Sequence, residues 1–262
     1  MHPAVARALR RVLVIAGLFV LWEAATGGFG GAFKVLDPIL VARPSGAFAE
    51  IVDYARSGPL AKDLSFTLTA AFAGLALGIV GGVLVGFLLG YARGVADAVE
   101  PIFVALNSMP RITLAPVLIL AFGLGLPSKV FLSLFTVFFV IFFNTYLGIR
   151  AINPELVKAV RVMGGSDLQL MRLVVLPSVF SWIFAALRTS VSFALTGAVV
   201  GEFVGSTGGL GYRLIIAYGT LDTNRVYAIL LVLMAIGVIL VEAAKRVEDR
   251  LLRWRPTADL AQ

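Results

Sequence analysis

Residues 64–91 read LSFTLTAAFAGLALGIVGGVLVGFLLGY. No charged side chain interrupts this run, and roughly 20 apolar residues are enough to carry a helix across a bilayer. Within it Gly74, Gly78, Gly82, Gly86 and Gly90 recur every four residues. On a helix that spacing lays the glycines along one bare stripe, where a second helix approaches closely. In lipid, packing rather than hydrophobicity drives such association. The stripe is therefore expected to be a packing face, which is compatible with sliding or rotation between helices. A shorter version recurs at Gly197, Gly201 and Gly205.

The rest of the chain has the same character. Of 262 residues, 60% are hydrophobic and 14% charged, and the mean hydropathy is +0.97. Soluble domains carry about 45–50% apolar and about 25% charged residues, and one soluble core of this size could not hide the surplus. The expected fold is all-α: a polytopic membrane protein with six transmembrane helices in one transmembrane domain over 1–262. The spans are placed at 12–27, 64–91, 101–124, 130–147, 177–204 and 226–243. The first follows Arg7, Arg10 and Arg11, as a signal peptide would. Gly27 to Gly31 offers no convincing small-x-small cleavage site, so it is read as an uncleaved helix. The third is interrupted by Pro110, Arg111 and Pro116. Pro38, Pro44 and Pro59 break the stretch between the first two spans, Ser45 to Ala55 is expected as a short surface helix, and 205–225 as a glycine-rich loop.

Several chemistries are excluded by what is missing. The chain has no cysteine, and its one histidine is His2. Disulfides, thiolate metal sites and histidine catalysis in a buried site are ruled out. Paired intramembrane acids are absent too, so an intramembrane enzyme is not expected, nor a metal or cofactor bound by this chain. The net charge of +7 fits basic loops at an anionic cytoplasmic surface better than nucleic acid. With six alternating spans and a cytoplasmic N-terminus, 13 Lys and Arg fall inside and 7 outside. Arg111 and Arg188 remain within spans; Lys34, Lys129, Arg213 and Arg225 are among the outside residues. The bias predicts both termini, and residues 148–176, in the cytoplasm.

Residues 155–177 read ELVKAVRVMGGSDLQLMRLVVLP. Leu156, Val160 and Met163 fall on one helical stripe, with Lys158 and Arg161 off it. Gly164 and Gly165 break the helix, and Ser166 with Asp167 can cap a second. This stretch resembles the cytoplasmic loop of ABC importer permeases, with Ala159, Gly164 and Leu176-Pro177 at its motif positions. The acid that usually opens the motif is Lys158 here, which removes any salt bridge that acid would make.

The resemblance covers nearly the whole chain. Pro44-Ser45, Glu100-Pro101, Ser108-Met109-Pro110, Ala115-Pro116 and Phe122-Gly123 resemble the nitrate, sulfonate and taurine branch. So do Phe143-Asn144-Thr145, Leu187-Arg188, Gly201-Glu202 and Gly208 to Gly211. The resemblance implies a type I ABC importer fold and a second permease subunit, often an identical copy. It also implies two cytoplasmic ATPases using ATP and magnesium, and an extracytoplasmic solute-binding protein. No Gly-x-x-x-x-Gly-Lys-Ser/Thr loop is present, so hydrolysis falls to those partners. The ATPase-coupling residues it implies are Glu155, Leu156, Lys158, Ala159, Arg161, Met163, Gly164, Gly165, Ser166 and Asp167. The location implied is a bacterial-type plasma (inner) membrane.

Candidates for the pathway are the polar groups inside spans: Arg111, Asn144, Arg188, Ser192, Thr196 and Glu202. A lone arginine at mid-depth costs roughly 2.5–3.5 kcal/mol, so it is expected to be paired, solvated or useful. Arg188 and Glu202 are about 21 Å apart on one helix and cannot pair within a subunit. The two arginines could attract a small anion such as a sulfonate, taurine or nitrate; the alternative is that they bond backbone carbonyls or snorkel. Thiamine-precursor and riboflavin permeases look much alike at this level. A secondary transporter would need a coupling-ion site, for which Glu202 alone is thin support.

Overall fold

A computed structural model describes residues 3–28, 35–37 and 40–251. His2, Lys34, Pro38, Arg253, Arg255 and residues 29–31 of the cleavage reading lie outside the described residues, as do the side chains of Arg7, Arg11 and Arg93. The helices are α1 (Pro3–Ala25), α2 (Pro44–Arg56), α3 (Pro59–Tyr91), α4 (Arg93–Ser108), α5 (Leu114–Phe122) and α6 (Leu126–Arg150). They continue with α7 (Pro154–Val162), α8 (Asp167–Leu170), α9 (Leu176–Val204), α10 (Leu210–Gly219) and α11 (Thr223–Leu251). No strand occurs among the described residues. By length and composition, four helical stretches can cross a membrane: α3, α6, α8 through α9, and α11. A fifth is possible if α4 and α5, bent by 84°, form one broken span, and Val12–Ala25 is a shorter apolar helix.

The contacts divide the chain into two compact units, one of residues up to 63 with 213–234, the other of 64–212 with the chain from 235 on. In the larger unit α6 is central. The α3 glycines at 74, 78, 82, 86 and 90 meet Ser133, Val137, Ile141, Thr145 and Ile149 of α6, in that order. All five glycines are buried. A Cβ on Gly78 would lie 2.7 Å from that of Val137, and one on Gly86 would lie 2.7 Å from that of Thr145. The order rises on both helices, so α3 and α6 run parallel and in step for about 24 Å. Two helices cannot run parallel in step unless the chain between them doubles back. The α4–α5 pair makes that return journey.

An adjoining face of α6 receives α9, running the opposite way, so that the three helices meet at Ser133. Gly201 packs on Lys129 and Leu132, Gly197 on Ser133 and Thr136, and Gly148 on Trp182. The Ser133 hydroxyl donates to the Ala194 carbonyl at 3.0 Å. The core between these helices holds Val137, Ile141, Val179 and Ala198.

Two expectations are corrected here. Residues 205–225 are not a plain loop, because Leu210–Gly219 is helical; its first amides are taken up by side chains, as described below. The charged tail from Glu242 continues α11 to Leu251, since Glu242 and Arg246 pair one turn apart at 3.3 Å. Lys129, counted with the outside segments, is fully buried at the start of α6. Its ammonium donates to the Leu124 carbonyl at 2.7 Å and to Ser128 Oγ at 3.1 Å.

In the smaller unit, Glu23 accepts the Ser45 amide at 3.0 Å and the Ser45 hydroxyl at 2.9 Å, closing the start of α2. The expected surface helix is therefore present, tied to the end of α1. Asp63 accepts from Tyr54 Oη and from Arg213 Nε, each at 2.7 Å. Burial, and then the hydrogen bond to Asp63, push the Tyr54 phenol above its ordinary pKa. Arg225 pairs with Glu50 at 2.6 Å.

Candidate translocation cavity and coupling loop

The break between α4 and α5 is written in the chain. A residue before proline is driven out of the helical region, and Met109 is extended with ψ 132°. Pro110 continues extended, then Arg111–Thr113 form a single 3-10 turn before α5. The Thr113 hydroxyl closes that turn on the Pro110 carbonyl at 2.6 Å.

This elbow forms one wall of a cavity of about 260 Å³. Met109, Pro110, Arg111 and Ile112 come from the elbow, Leu132 and Thr136 from α6, and Phe193, Thr196, Gly197 and Val200 from α9. Arg111 is half-buried and donates from Nη2 to Asn107 Oδ1 at 2.6 Å. Its guanidinium stands 5.7 Å from the Phe193 ring centroid, a cation–π arrangement. Arg111 Nε is buried without an acceptor among the described residues. The Thr136 hydroxyl is shared between the carbonyls of Ser133 at 2.6 Å and Phe193 at 3.0 Å. Thr196 Oγ1 donates to the Ser192 carbonyl at 2.9 Å. The wall is thus mostly apolar, with one cation whose donors are partly engaged.

The six pathway candidates are dispersed. Arg111 and Thr196 line the cavity. Ser192 is exposed one turn from Thr196 on the same face of α9. Asn144 does not line it; its amide donates to Val140 in its own helix at 2.8 Å. Arg188 is exposed and pairs with Glu248 of α11 at 2.9 Å. Its partner lies in what the sequence suggested was a tail, which is why the pair could not be found by spacing. Glu202 is fully buried and does not line the cavity. It accepts from Thr67 Oγ1 at 2.9 Å and from the Gly211 amide at 2.8 Å, while Thr67 Oγ1 accepts the Leu210 amide at 2.9 Å. Carboxylate and hydroxyl together satisfy the orphan amides that open α10, within electrostatic reach of Lys129. Sequence reasoning missed Thr136 and Phe193. Thr136 carried a signal, as a hydroxyl facing the same way as Ser133 in an apolar run; Phe193 carried none.

The stretch from Asn153 to Gln169 faces outward. Asn153 caps α7, accepting the Glu155 amide at 2.8 Å, with Pro154 at the first helical position. Ser166 caps α8 in a reciprocal box: Gln169 N donates to Ser166 Oγ at 3.3 Å, and Ser166 N to Gln169 Oε1 at 2.8 Å. Between them Gly164 takes φ +78°, a torsion that glycine adopts without steric cost. Arg161 and Asp167 bridge the two helices at 2.6 Å. None of the residues in α7 or α8 is buried. On the apolar stripe Leu156 is 51% and Met163 86% exposed, with Val160 half-buried. Lys158 and Ala159 are exposed. From α8 a π-turn at Met171–Val175 leads without interruption into α9. One helical rod therefore joins the exposed loop to the cavity wall at Phe193, Thr196 and Val200.

Residues 78–253 match the family described as "Binding-protein-dependent transport system inner membrane component". The chain is 38% identical to the riboflavin transport system permease protein RibX of Chloroflexus aurantiacus, over 90% of this chain and 87% of that one. It is 32% identical to the formylaminopyrimidine transport permease protein ThiX of Halalkalibacterium halodurans, over 95% and 97%. It is 28% identical to a putative aliphatic sulfonates transport permease protein SsuC of Bacillus subtilis, over 94% and 88%. Among solved structures, the inward-facing MetNI methionine ABC transporter superposes with a TM-score of 0.61 at 24% identity, covering 76% of this chain and 97% of that one. A bacterial ABC transporter that imports the acidic polysaccharide alginate gives 0.62 at 14% identity, over 94% and 99%. The all-helical fold is that of type I ABC importer permeases, and the chain belongs to the family of inner-membrane permease components of binding-protein-dependent transport systems.

Proposed function

We propose that this permease crosses a bacterial-type plasma membrane six times, with both termini in the cytoplasm, and pairs with a second copy around the cavity at the α4–α5 elbow. Two cytoplasmic ATPases grip residues 155–167 and supply hydrolysis of magnesium-bound ATP, and an extracytoplasmic binding protein delivers the solute. The observation that carries this reading is the helical rod from α8 to α9, with an exposed apolar loop at one end and the cavity wall further along. The parallel run of α3 and α6 supports counting α4–α5 as one crossing. The test is reconstitution with the ATPase and binding protein in proteoliposomes. Uptake is expected to require internal ATP and to survive collapse of ion gradients. Uptake that follows an ion gradient without ATP overturns the reading in favour of a secondary transporter.

For the solute, we infer a small organic molecule carrying a planar heterocycle, the class named for the riboflavin and formylaminopyrimidine relatives. The apolar wall with Phe193 favours a flat ring over a bare ion. A second reading, a small anion such as a sulfonate, taurine or nitrate, is favoured by Arg111 at that wall and by the sulfonate relative. Measuring which class the cognate binding protein retains, and which then stimulates ATP hydrolysis, separates the two.

A further inference from the structure

A second cavity, of about 380 Å³, lies where α3 and α6 end, beneath the loop; Gly90, Ile149, Arg150 and Lys158 are among its walls. Beside it a groove of about 600 Å³ runs along the outer face of α3, past Leu84 and Leu88 to Tyr91 and Met171. Tyr91 lines both, and its hydroxyl reaches Met171 Sδ at 3.6 Å. Leu84 and Leu88 are 65% and 68% exposed, so the groove opens on an apolar helix face. The cavity beneath the loop differs in carrying two basic side chains, Arg150 and Lys158. No carboxylate lines it. Arg150 is held by Asp97 at 3.0 Å, whereas Lys158 makes no ion pair among the described residues and leaves a net positive charge at the rim.

An apolar groove continuous with a basic pocket at a helix end has the polarity of one phospholipid. We propose that the two together seat a single anionic phospholipid, its acyl chain along Leu84 and Leu88 and its phosphate at Lys158. A soluble protein partner could reach the basic pocket, but the adjoining groove continues down a helix face suited to lipid. Basic pockets at the cytoplasmic ends of membrane helices suit anionic headgroups. The lipid would thereby touch both the end of the glycine seam and α7. This inference takes only its choice of leaflet from the proposed orientation; the binding test does not depend on it.

The experiment uses the permease assembled with its ATPase, in nanodiscs of phosphatidylglycerol and phosphatidylcholine of equal chain length. After washing, retained lipid is counted by native mass spectrometry. One lysine beside an anionic lipid contributes about fivefold, so phosphatidylglycerol is expected to be enriched about fivefold. Lys158→Gln should bring the ratio to about parity, and Lys158→Arg should restore it. Leu88→Trp, which fills the groove, should lower retention of both lipids. Lys158 also lies in the stretch that the ATPases grip, so each variant is measured in the permease without ATPase as well. There size-exclusion chromatography checks that it is folded, and the lipid ratio is expected to change to the same extent. Equal retention of the two lipids by the unaltered complex overturns the proposal, as does enrichment that persists in Lys158→Gln. Displacement by glycerol phosphate as effective as by phosphatidylglycerol also overturns it, since that describes a free-anion pocket.

Discussion

The seam between α3 and α6 and the loop between α7 and α8 both depend on glycine, for opposite reasons. In the seam the glycines are needed for space: a Cβ at Gly82 would lie 2.8 Å from the Phe138 carbonyl and 2.9 Å from Ile141 Cβ. At Gly164 a Cβ would meet nothing within 4 Å, yet φ is +78°. There the requirement is torsional. The neighbouring Gly165 returns to the first kind, with Val160 O only 2.8 Å from its added Cβ. The seam is sealed and sets stability, whereas the loop has no buried residue and is free to be gripped. Damage to the first should unfold the protein, and damage to the second should disconnect it.

The largest effect is expected from Gly82→Leu. The added side chain must push α3 off the backbone of α6, and overpacking of this kind costs about 1–3 kcal/mol or more. The assembled complex should be lost in size-exclusion chromatography. A variant that assembles and transports normally shows that the seam tolerates separation and breaks the comparison. Next, Glu202→Ala should lower the unfolding temperature, because it strips the Gly211 amide and the Thr67 hydroxyl of their acceptor. Leaving a buried donor unsatisfied costs about 1–3 kcal/mol. Glu202→Gln keeps an acceptor and should lose less; equal losses would mean that the charge, and not the acceptor, is what matters.

Gly164→Asp tests the other region. A non-glycine residue in the left-handed conformation costs about 1–2 kcal/mol, confined to an exposed turn. The unfolding temperature should barely move, while ATPase co-purification and ligand-stimulated hydrolysis both fall. Gly164→Asn, which tolerates that torsion better, should recover much of the coupling. If both measures stay at the unaltered level in Gly164→Asp, the loop is not the coupling element. The smallest change in stability belongs to Arg188→Gln. Its ion pair with Glu248 is partly exposed, and such pairs contribute about 0–1 kcal/mol. The folded complex and its basal hydrolysis should persist, so any fall in uptake reports a place on the pathway. Loss of the complex instead would make the pair structural.

Local chemistry was legible in proportion to how local its cause is. The Ser166 cap, the Gly164 torsion and the elbow at Pro110 depend on neighbours within four residues, and each could be read from the chain. The Arg188–Glu248 pair, the burial of Lys129 and the Thr67–Glu202 bond join residues far apart in sequence. Spacing within one helix gave no means of finding them. The same limit divided the pathway candidates, because a polar residue in a span reads alike whether it faces a cavity, as Thr196 does, or closes a helix end, as Glu202 does.

The sequence by itself determined the class of protein, its all-helical fold and the caps and turn of the loop. Hydropathy, glycine spacing and capping act through the chain's own backbone and its solvent. The tertiary structure alone decided which helix receives the glycine stripe, that α3 and α6 run parallel, and which side chains share the cavity. The physical reason is that close packing in lipid selects among many helix pairs of similar composition. That selection rests on side-chain shape and on the few polar groups that must find a partner, neither of which a one-dimensional pattern of hydrophobicity encodes.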